Sequence, residues 1–523
     1  MRLLLLAAAL AFTANAYHRP SSPARDAFRA ADPGNTTQGL GTLGHFDQLI
    51  DHSNPSLGTF KQRYWWNIDH YGGPHSPIML ESPGEFPKPY GQIDGMDNHT
   101  LPGLLAQDNA AAYITIEHRY YGDSMPFGNK TLNAETLQQM TLDNAIQDLV
   151  YFAKNVVFPF DKTNGTATKP DQAPWLLAGC SYAGALAAWT QALAPGTFWA
   201  YEAGSAVVET REQFWEYYVP IKNAMPPNCS ADFQRVVKHV DDVLLHGTET
   251  YKAALKRRFS ADGASDQDFV TGFVLGPLSA QQNQQVSSKT SALTFLCDYL
   301  ENQQPEHYVP MPGSDGVGLD RALDGFQRLY GGHPPGDNLT SSSLDSRVKE
   351  LLPSTEFIAR YRNPFDWMLC NEPFEWWQSW SRLDTTGFLS KLWTWQDDIA
   401  SRCEGQYPDT NGFQYGLKKG HTYHEVNKRT GGWRNVNTTR LVWINGEFDP
   451  WKAATVSWDG RPGGALQSTP EVPVYVFKNA GHCNDYITAN ADTVEGKHIF
   501  DATRGHFRQW VAEFYKEHPH AAL

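Results

Sequence analysis

Three residues in this chain stand where their chemistry could be combined. Ser181 lies in the run GCSYAG at 179–184, between a predicted strand and a predicted helix. Asp449 follows a second strand-like run and His482 follows a third, each just beyond the carboxyl end of the run. A serine hydroxyl becomes a nucleophile when an imidazole takes its proton and a carboxylate orients that imidazole. The pattern predicts acyl transfer with Ser181 as nucleophile, His482 as general base and acid, and Asp449 as orienting carboxylate.

The segment around Ser181 has the features of a nucleophile elbow, a sharp strand-to-helix turn that lifts the hydroxyl above the edge of a sheet. The run Pro174–Ala178 predicts the strand, and Ala183–Leu193 predicts the helix. Such a turn needs small residues two positions before and two positions after the serine. Gly179 meets this need, and Ala183 stands where a second glycine is usual.

The negative charge of the transition state needs hydrogen-bond donors. The backbone N–H of Tyr182, directly after the nucleophile, is expected to be one donor. The other is expected from Gly84 or Glu85 in the loop that follows the strand-like run Pro77–Glu81. Glu85 is equally well explained as an ordinary loop carboxylate or as a contact for a substrate amine.

The order of the three residues along the chain carries further information. Serine, then a carboxylate, then histidine is the order of α/β hydrolases, in which strand ends carry the site. Glu447 is the rival to Asp449, because both carboxylates follow the strand-like run Arg440–Ile444. Asp449 is the preferred candidate.

The arrangement of the remaining elements predicts an α/β fold with a large insertion. Up to about residue 210, short apolar strands alternate with helices, which indicates a mostly parallel sheet covered on both faces. From 211 to 434 strand signals largely vanish and amphipathic helices such as Phe233–Leu245 and Phe388–Ile399 are predicted. Strands then return, and a terminal helix is predicted over Ile499–Glu517. We expect an α/β-hydrolase domain built from 45–210 and 435–523, interrupted by a mainly helical cap domain at 211–434.

Composition excludes some classes of protein. The 43 basic and 57 acidic residues leave a formal net charge of −14 over 523 residues, so nucleic acid is not an expected partner. The six cysteines form no CxxC pair or Cys/His cluster with zinc spacing, and hydrolysis by a serine nucleophile needs no cofactor. We therefore expect no metal and no organic cofactor.

The N-terminus predicts export. Arg2, the apolar run from Leu3 to Phe12 and the small residues up to Ala16 form a signal peptide at 1–16, too short for a membrane anchor. Residues 17–44 are polar and are expected to form a loose segment. An even number of cysteines permits disulfides, although the sequence does not choose their pairing. Seven Asn-x-Ser/Thr sequons predict a secreted glycoprotein: Asn35, Asn98, Asn129, Asn164, Asn228, Asn338 and Asn437.

Several longer runs together resemble one family. They are FDQLIDH at 46–52, FKQRYW at 60–65, EHRYYG at 117–122, the Ser181 elbow, the segment 445–451 and Gly481-His482. These runs resemble the S28 family of serine peptidases, the prolyl carboxypeptidase and dipeptidyl peptidase II group, and most of all its secreted fungal acid prolyl endopeptidases.

The resemblance implies an α/β-hydrolase domain roofed by a helical insertion, a triad of Ser181, Asp449 and His482, and cleavage after proline in peptides or proteins. It also implies that Trp451 lines the proline pocket, since a pyrrolidine ring stacks well on aromatic faces. Trp377, in the aromatic segment 374–380, is a second candidate for that wall. Cys180 and Cys483 each neighbour a triad residue and are expected to be close and bonded.

Three alternatives remain at this point. The first is an exopeptidase of the same family, acting on a Pro-Xaa C-terminus or removing an N-terminal di- or tripeptide. The second is a secreted esterase or lipase with the same triad, and the third is a binding protein on a hydrolase fold. Yeast-type serine carboxypeptidases share the elbow but carry Glu before the serine, where this chain has Cys180.

Overall fold

The computed structural model describes residues 41–88, 96–288, 291–303, 310–329 and 364–521. The expected signal peptide at 1–16, the segment 17–40, and the sequons at Asn35 and Asn338 lie outside these residues. The first strand begins at Thr42. None of the helices in these ranges combines the length and hydropathy that crossing a bilayer requires.

An eight-stranded sheet forms the centre of the molecule. The strands in the described ranges are β1 (Thr42–Leu49), β2 (Thr59–Asn67), β3 (Ile78–Glu81), β4 (Ala112–Ile116), β5 (Trp175–Cys180), β6 (Ala200–Gly204), β7 (Arg211–Gln213), β8 (Glu375–Trp377), β9 (Leu441–Gly446) and β10 (Val474–Phe477). The large sheet has the order β1-β2-β4-β3-β5-β6-β9-β10. Strands β1 and β2 run antiparallel to their neighbours, and every other pairing is parallel. This is the α/β-hydrolase fold, as the sequence predicts.

Helices cover both faces of this sheet. Leu101–Asp108 and Val494–Glu517 bury residues against one face, and Leu142–Asn155 and Tyr182–Leu193 bury theirs against the other. Strands β3, β4 and β6 are buried along their whole length, which explains why β3 and β4 are mostly apolar in sequence. Strand β6 has the sequence AYEAG and carries a buried glutamate, and for this reason it gives little strand signal.

The chain between β6 and β9 is mainly helical. Its described α-helices are Tyr218–Ala224, Pro227–His246, Glu249–Arg258, Asp266–Asp268, Ala292–Leu300, Leu319–Arg328, residues 364–371, Trp395–Asp398 and Tyr423–Thr430. A π-helical and 3₁₀-helical stretch covers Phe269–Leu275 and Gly276–Asn283. A two-stranded parallel sheet, β7 with β8, also lies within this stretch, where strand signals largely vanish from the sequence. The division into domains stays a prediction.

One helix differs from its prediction. Instead of Phe388–Ile399, an α-helical turn covers Trp395–Asp398 and a π-helical turn follows at Ile399–Glu404. A capping box between Thr394 and Asp397 sets the start of the helix at Trp395. The residues before Trp395 do not continue this helix, because the Ser390 hydroxyl donates to Asp241. The apolar residues of 388–394 are therefore buried by a segment of irregular backbone, although their spacing resembles that of a helix.

The sequence runs that resemble the S28 family outside the site have a structural role. Arg63 in β2 donates to both oxygens of Glu117, at 2.9 and 2.7 Å, just beyond β4. Arg119 and His52 both contact the buried Asp148, at 2.5–2.8 Å. Burial raises the pKa of Asp148, but these two partners outweigh it and hold that pKa below its usual value. These contacts therefore connect the edge strands β1 and β2 to the segment after β4.

Candidate active site

Ser181 occupies the turn between β5 and the helix Tyr182–Leu193. Its backbone has φ 63° and ψ −128°, which residues with a side chain rarely adopt and which marks a strained position. The Ser181 N–H is held by the Gly204 carbonyl at 2.9 Å. The side chain is half-buried, and it makes no capping bond to its own helix. The backbone strain thus presents the hydroxyl at the carboxyl end of β5.

Close packing explains the small residues around this turn. A Cβ on Gly179 would lie 2.7 Å from the Ala183 carbonyl oxygen and 2.9 Å from Ser82 Cβ. A Cβ on Gly184 would lie 2.5 Å from the Gly204 carbonyl oxygen. The elbow therefore requires glycine at Gly184 as well, a requirement that the sequence reasoning missed. Ala183 is tolerated because its backbone, not its side chain, makes the close approach.

His482 and Asp449 form a buried pair. The imidazole Nδ1 lies 2.9 Å from Asp449 Oδ1 and 2.8 Å from Oδ2. Asp449 is fully buried, and its Oδ1 also accepts the Trp451 N–H at 2.8 Å. Since a carboxylate only accepts, Nδ1 carries the proton and Nε2 is the basic nitrogen. Nε2 is buried and has no hydrogen-bond partner among the described residues.

The rival carboxylate is engaged elsewhere. Glu447 Oε2 accepts the Asn479 N–H at 2.9 Å, and Oε1 lies 3.3 Å from the Lys478 ammonium. The backbone N–H and the ammonium outweigh partial burial and lower the pKa of Glu447. Of the two candidates, Asp449 is the one in contact with His482.

A disulfide joins the serine and histidine segments. Cys180 and Cys483 are bonded, with their Cα atoms 5.8 Å apart, as expected from their neighbours in sequence. A ring nitrogen of His482 lies within 4.8 Å of both sulfurs. These sulfurs form a disulfide and are not thiolates, so this group offers no metal site. The disulfide thus links the residue before Ser181 to the residue after His482.

The loop after β3 runs beside the elbow. Ser82 donates its N–H to the Ala178 carbonyl at 2.8 Å, so the loop continues along β5 towards Ser181. Gly84 is half-buried and Glu85 is buried. Tyr182 is the first residue of its helix, where backbone N–H groups have no acceptor within the helix. The expected oxyanion donors, Tyr182 with Gly84 or Glu85, remain predictions.

The Tyr182 side chain is anchored by a residue that the sequence reasoning did not single out. Its hydroxyl lies 3.0 Å from His118 Nε2, and His118 Nδ1 lies 2.9 Å from the Arg119 carbonyl oxygen. Burial lowers the pKa of His118, which favours the neutral ring. Because the Arg119 carbonyl can only accept, Nδ1 carries the proton of that ring and Nε2 accepts from the tyrosine. Burial first, and then the Glu85 charge, raise the pKa of Tyr182 well above its usual value. His118 belongs to the EHRYYG run, and that run was the sequence signal that could have identified this residue.

Aromatic rings surround Trp451 beside the catalytic candidates. Its ring centroid lies 6.4 Å from that of His482, 5.4 Å from those of Phe214 and Tyr217, and 5.8 Å from that of Trp376. The indole N–H donates to Gln282 Oε1 at 3.0 Å. Gln282 also accepts the His482 N–H through its backbone carbonyl at 3.0 Å, so the insertion is attached to the histidine loop.

The neighbouring tryptophans of β8 differ in their positions. Trp376 contacts Trp451, whereas the contacts of Trp377 are with Glu375, at 3.2 Å from its indole nitrogen, and with Arg402. Glu375 and Trp376 both have left-handed φ values, of 60° and 50°. The structure therefore places Trp376, and not Trp377, in ring contact with Trp451. The assignment of Trp451 and Trp377 to a proline pocket stays a prediction.

A family model matches nearly the whole of this chain. The family is described as serine carboxypeptidase S28, and the match covers residues 47–498. The chain belongs to the S28 family of serine peptidases. Ser181, Asp449 and His482 all lie within the matched residues.

Relatives of this S28 peptidase include fungal proteins. It is 33% identical over 503 residues to "Serine protease vicPb" of Bipolaris victoriae, covering 93% of this chain and 91% of the relative. It is 28% identical over 463 residues to "Probable extracellular serine carboxypeptidase" of Arthroderma benhamiae, covering 82% of this chain and 60% of the relative. The solved proline iminopeptidase of Mycobacterium smegmatis matches 90% of this chain and 99% of its own at 12% identity, with a TM-score of 0.35, which is too low to carry an argument.

Proposed function

We propose that this S28 peptidase hydrolyses peptide bonds on the carboxyl side of proline, as an endopeptidase, through an acyl-enzyme on Ser181. The observation that carries the proposal is the His482–Asp449 pair at 2.8–2.9 Å, joined by one disulfide to the strained Ser181 turn. Such a turn costs folding free energy and persists where the surrounding structure enforces it, as at nucleophiles.

In the first half of the reaction, Ser181 Oγ attacks the carbonyl carbon of the proline residue. His482 Nε2 takes the hydroxyl proton, and Asp449 stabilises the imidazolium that forms. The N–H groups of Tyr182 and of Gly84 or Glu85 receive the developing oxyanion. The imidazolium then gives its proton to the leaving amine, and the C–N bond breaks.

In the second half, water attacks the acyl-enzyme. His482 takes the proton of the water, and the tetrahedral intermediate collapses to release the acid and return the proton to Ser181. Every proton transfer uses Nε2, because Nδ1 stays bonded to Asp449. Apart from the attacking water, the proposed steps use only residues of the chain.

Preference for proline is supported by the aromatic surroundings of Trp451. A pyrrolidine ring is compact and apolar, and aromatic faces bind such a ring well. The Trp451 ring lies next to His482, and the rings of Phe214, Tyr217 and Trp376 pack around Trp451. We assign Trp451 to the wall of the proline pocket, with Trp376 as its partner in place of Trp377.

The competing mode is removal of residues from a peptide end, which the family description as carboxypeptidase favours. A peptide blocked at both ends and holding one internal proline separates the two modes. Mass analysis should find cleavage after that proline, and loss of cleavage in Ser181→Ala. Ser279→Ala, which removes a hydroxyl in the 3₁₀ stretch of the insertion, should cleave normally. Products only from unblocked ends would favour the exopeptidase, and activity in Ser181→Ala would refute the mechanism.

We also propose that the protein is secreted and glycosylated. Three disulfides, at Cys180–Cys483, Cys229–Cys297 and Cys370–Cys403, fit an oxidising compartment. The sequons at Asn98, Asn129, Asn164 and Asn437 are exposed. Asn228 is only half-exposed, and its amide donates to Glu301 at 2.9 Å, so it is the poorest acceptor of these five. Glycopeptide mapping of the exported protein, with sequencing of its mature N-terminus, tests both statements.

A further inference from the structure

Two buried carboxyl groups lie behind the candidate site and have no part in the mechanism above. Glu202 is in β6, and Asp485 is three residues after His482; each side chain belongs to a residue that is 2% exposed. Burying an ionised carboxylate without a compensating partner is costly, so such groups are rare unless paired. Their position needs an explanation.

The two groups touch the backbone that holds Ser181. Glu202 Oε2 accepts the Gly179 N–H at 3.2 Å. A Cβ on Gly204 would lie 2.0 Å from Asp485 Oδ2 and 2.9 Å from Glu202 Oε1, so both carboxyl groups pack against this glycine. The Gly204 carbonyl is the acceptor for the Ser181 N–H, at 2.9 Å. The pair therefore lies directly beneath the elbow.

The same pair also reaches the histidine segment. Asp485 follows Cys483, whose sulfur is bonded to Cys180 and whose N–H donates to Ser205 Oγ at 3.0 Å. Contact between Glu202 and Asp485 thus connects β6 to the loop that carries His482. It is a second, noncovalent link in parallel with the disulfide.

The contact requires a proton. Glu202 Oε1 and Asp485 Oδ2 both lie against Gly204, and two ionised carboxylates placed in this way have no donor between them. Among the described residues, none supplies an N–H or O–H to Glu202 Oε1 or Asp485 Oδ2. One carboxyl group must therefore be protonated and donate to the other.

The charged groups around the pair do not replace that proton. Two further charges affect the pKa of Asp485: that of His482 lowers it, and that of Asp449 raises it. Glu81, at the end of β3, is already bonded to Lys88, Tyr113 and Tyr486. Full ionisation would put two like charges in contact inside the protein.

We propose that Glu202 and Asp485 are positioning residues that share one proton, hold the Ser181 elbow and the His482 loop together, and release them when that proton is lost. The proposal rests on the proposed function for its effect on catalysis, but not for its effect on folding. It makes the peptidase active at acid pH and self-limiting as the pH rises.

The direction of the pH effect follows from the environment of the pair. Burial first, and then the charge of Asp485, raise the pKa of Glu202 well above its usual value. Burial raises the pKa of Asp485 to about 6. Because both values exceed those in the unfolded chain, the folded state binds more protons than the unfolded state from about pH 4 upwards. The pair therefore stabilises the fold most at acid pH, and this advantage is lost as the pH rises through 6 and above.

Isosteric amides test the shared proton. In Glu202→Gln or Asp485→Asn, the amide donates to the remaining carboxyl group at any pH, so no proton needs to be shared. The alkaline limb of the kcat/KM profile for a blocked proline peptide should move up by at least about one pH unit. The matched control is Glu301→Gln, another buried carboxyl group, whose pKa burial raises to about 7 and whose partners Asn228 and Asp232 lie in the insertion. Its profile should coincide with that of the parent.

A second readout does not depend on turnover. In a Ser181→Ala background, the unfolding temperature should fall between pH 4 and 7, and Glu202→Gln should flatten this fall. If Glu202→Gln does not fold, Asp485→Asn makes the same test from the other side of the pair. Unchanged alkaline limbs and unchanged stability slopes in the folded variants would overturn the proposal. Failure of the proposed function would give a different result. Cleavage would then be absent, or would survive Ser181→Ala, while Glu202→Gln would still flatten the fall of the unfolding temperature with pH.

Discussion

Replacing Asp449 with asparagine is the sharpest test of the proposed mechanism. Trp451 N–H donates to Oδ1 at 2.8 Å, so in Asp449→Asn the amide oxygen will take the Oδ1 position. The NH₂ group then occupies the Oδ2 position, 2.8 Å from Nδ1, and must donate to it. The ring proton is thereby moved to Nε2, and the imidazole can no longer accept the proton of Ser181.

The size of the effect follows from the lost charge. A carboxylate and an imidazolium 2.8 Å apart attract by about 6 kcal/mol at an effective dielectric of about 20. Since about 1.4 kcal/mol corresponds to a factor of ten, kcat should fall by roughly four orders of magnitude. KM should change little, because Asp449 is fully buried and does not reach the substrate.

The assay is steady-state hydrolysis of a blocked proline peptide, with circular dichroism to check the fold. The matched control is Glu447→Gln, which removes a carboxylate two residues away that contacts Asn479 and Lys478 instead of His482. Glu447→Gln should keep kcat within about threefold of the parent, as is usual for a surface polar change. The reasoning is refuted if Asp449→Asn retains more than a tenth of the parental kcat, or if Glu447→Gln loses as much as it does.

Two further predictions concern the surroundings of the site. Trp451→Leu should lower kcat/KM for cleavage after proline by about ten- to a hundredfold, because the stacking face is lost, whereas Trp377→Leu should lower it by less than about threefold. Equal losses in the two variants would contradict the assignment of the pocket. Replacing Cys180 and Cys483 together by serine should cost about 5–6 kcal/mol of unfolding free energy from chain entropy, since 303 residues separate them, and should also lower kcat. Replacing Cys370 and Cys403, separated by 33 residues, should cost about 4 kcal/mol and leave kcat unchanged, as measured by urea unfolding and hydrolysis.

Much of the site could be predicted because the ends of parallel strands share one edge of a sheet. Ser181, Asp449 and His482 each follow a strand, so the strand pattern alone brings their segments together. The link between Cys180 and Cys483 follows from the same reasoning, since each cysteine neighbours one of these residues. Strands β1, β6, β7 and β8 gave weaker signals, because their residues are polar, small or too few to show a period.

What the amino-acid sequence determined by itself was local: the strained turn at Ser181, the α/β class, and the residue types at the strand ends. Only the tertiary structure decided that His482 contacts Asp449 and not Glu447, that Trp376 and not Trp377 contacts Trp451, and that Glu202 and Asp485 meet at Gly204. The physical reason is that a periodic pattern assigns a residue to a face or an end of one element. Which side chains then meet depends on how elements distant in the chain pack, and packing is settled by the whole core at once.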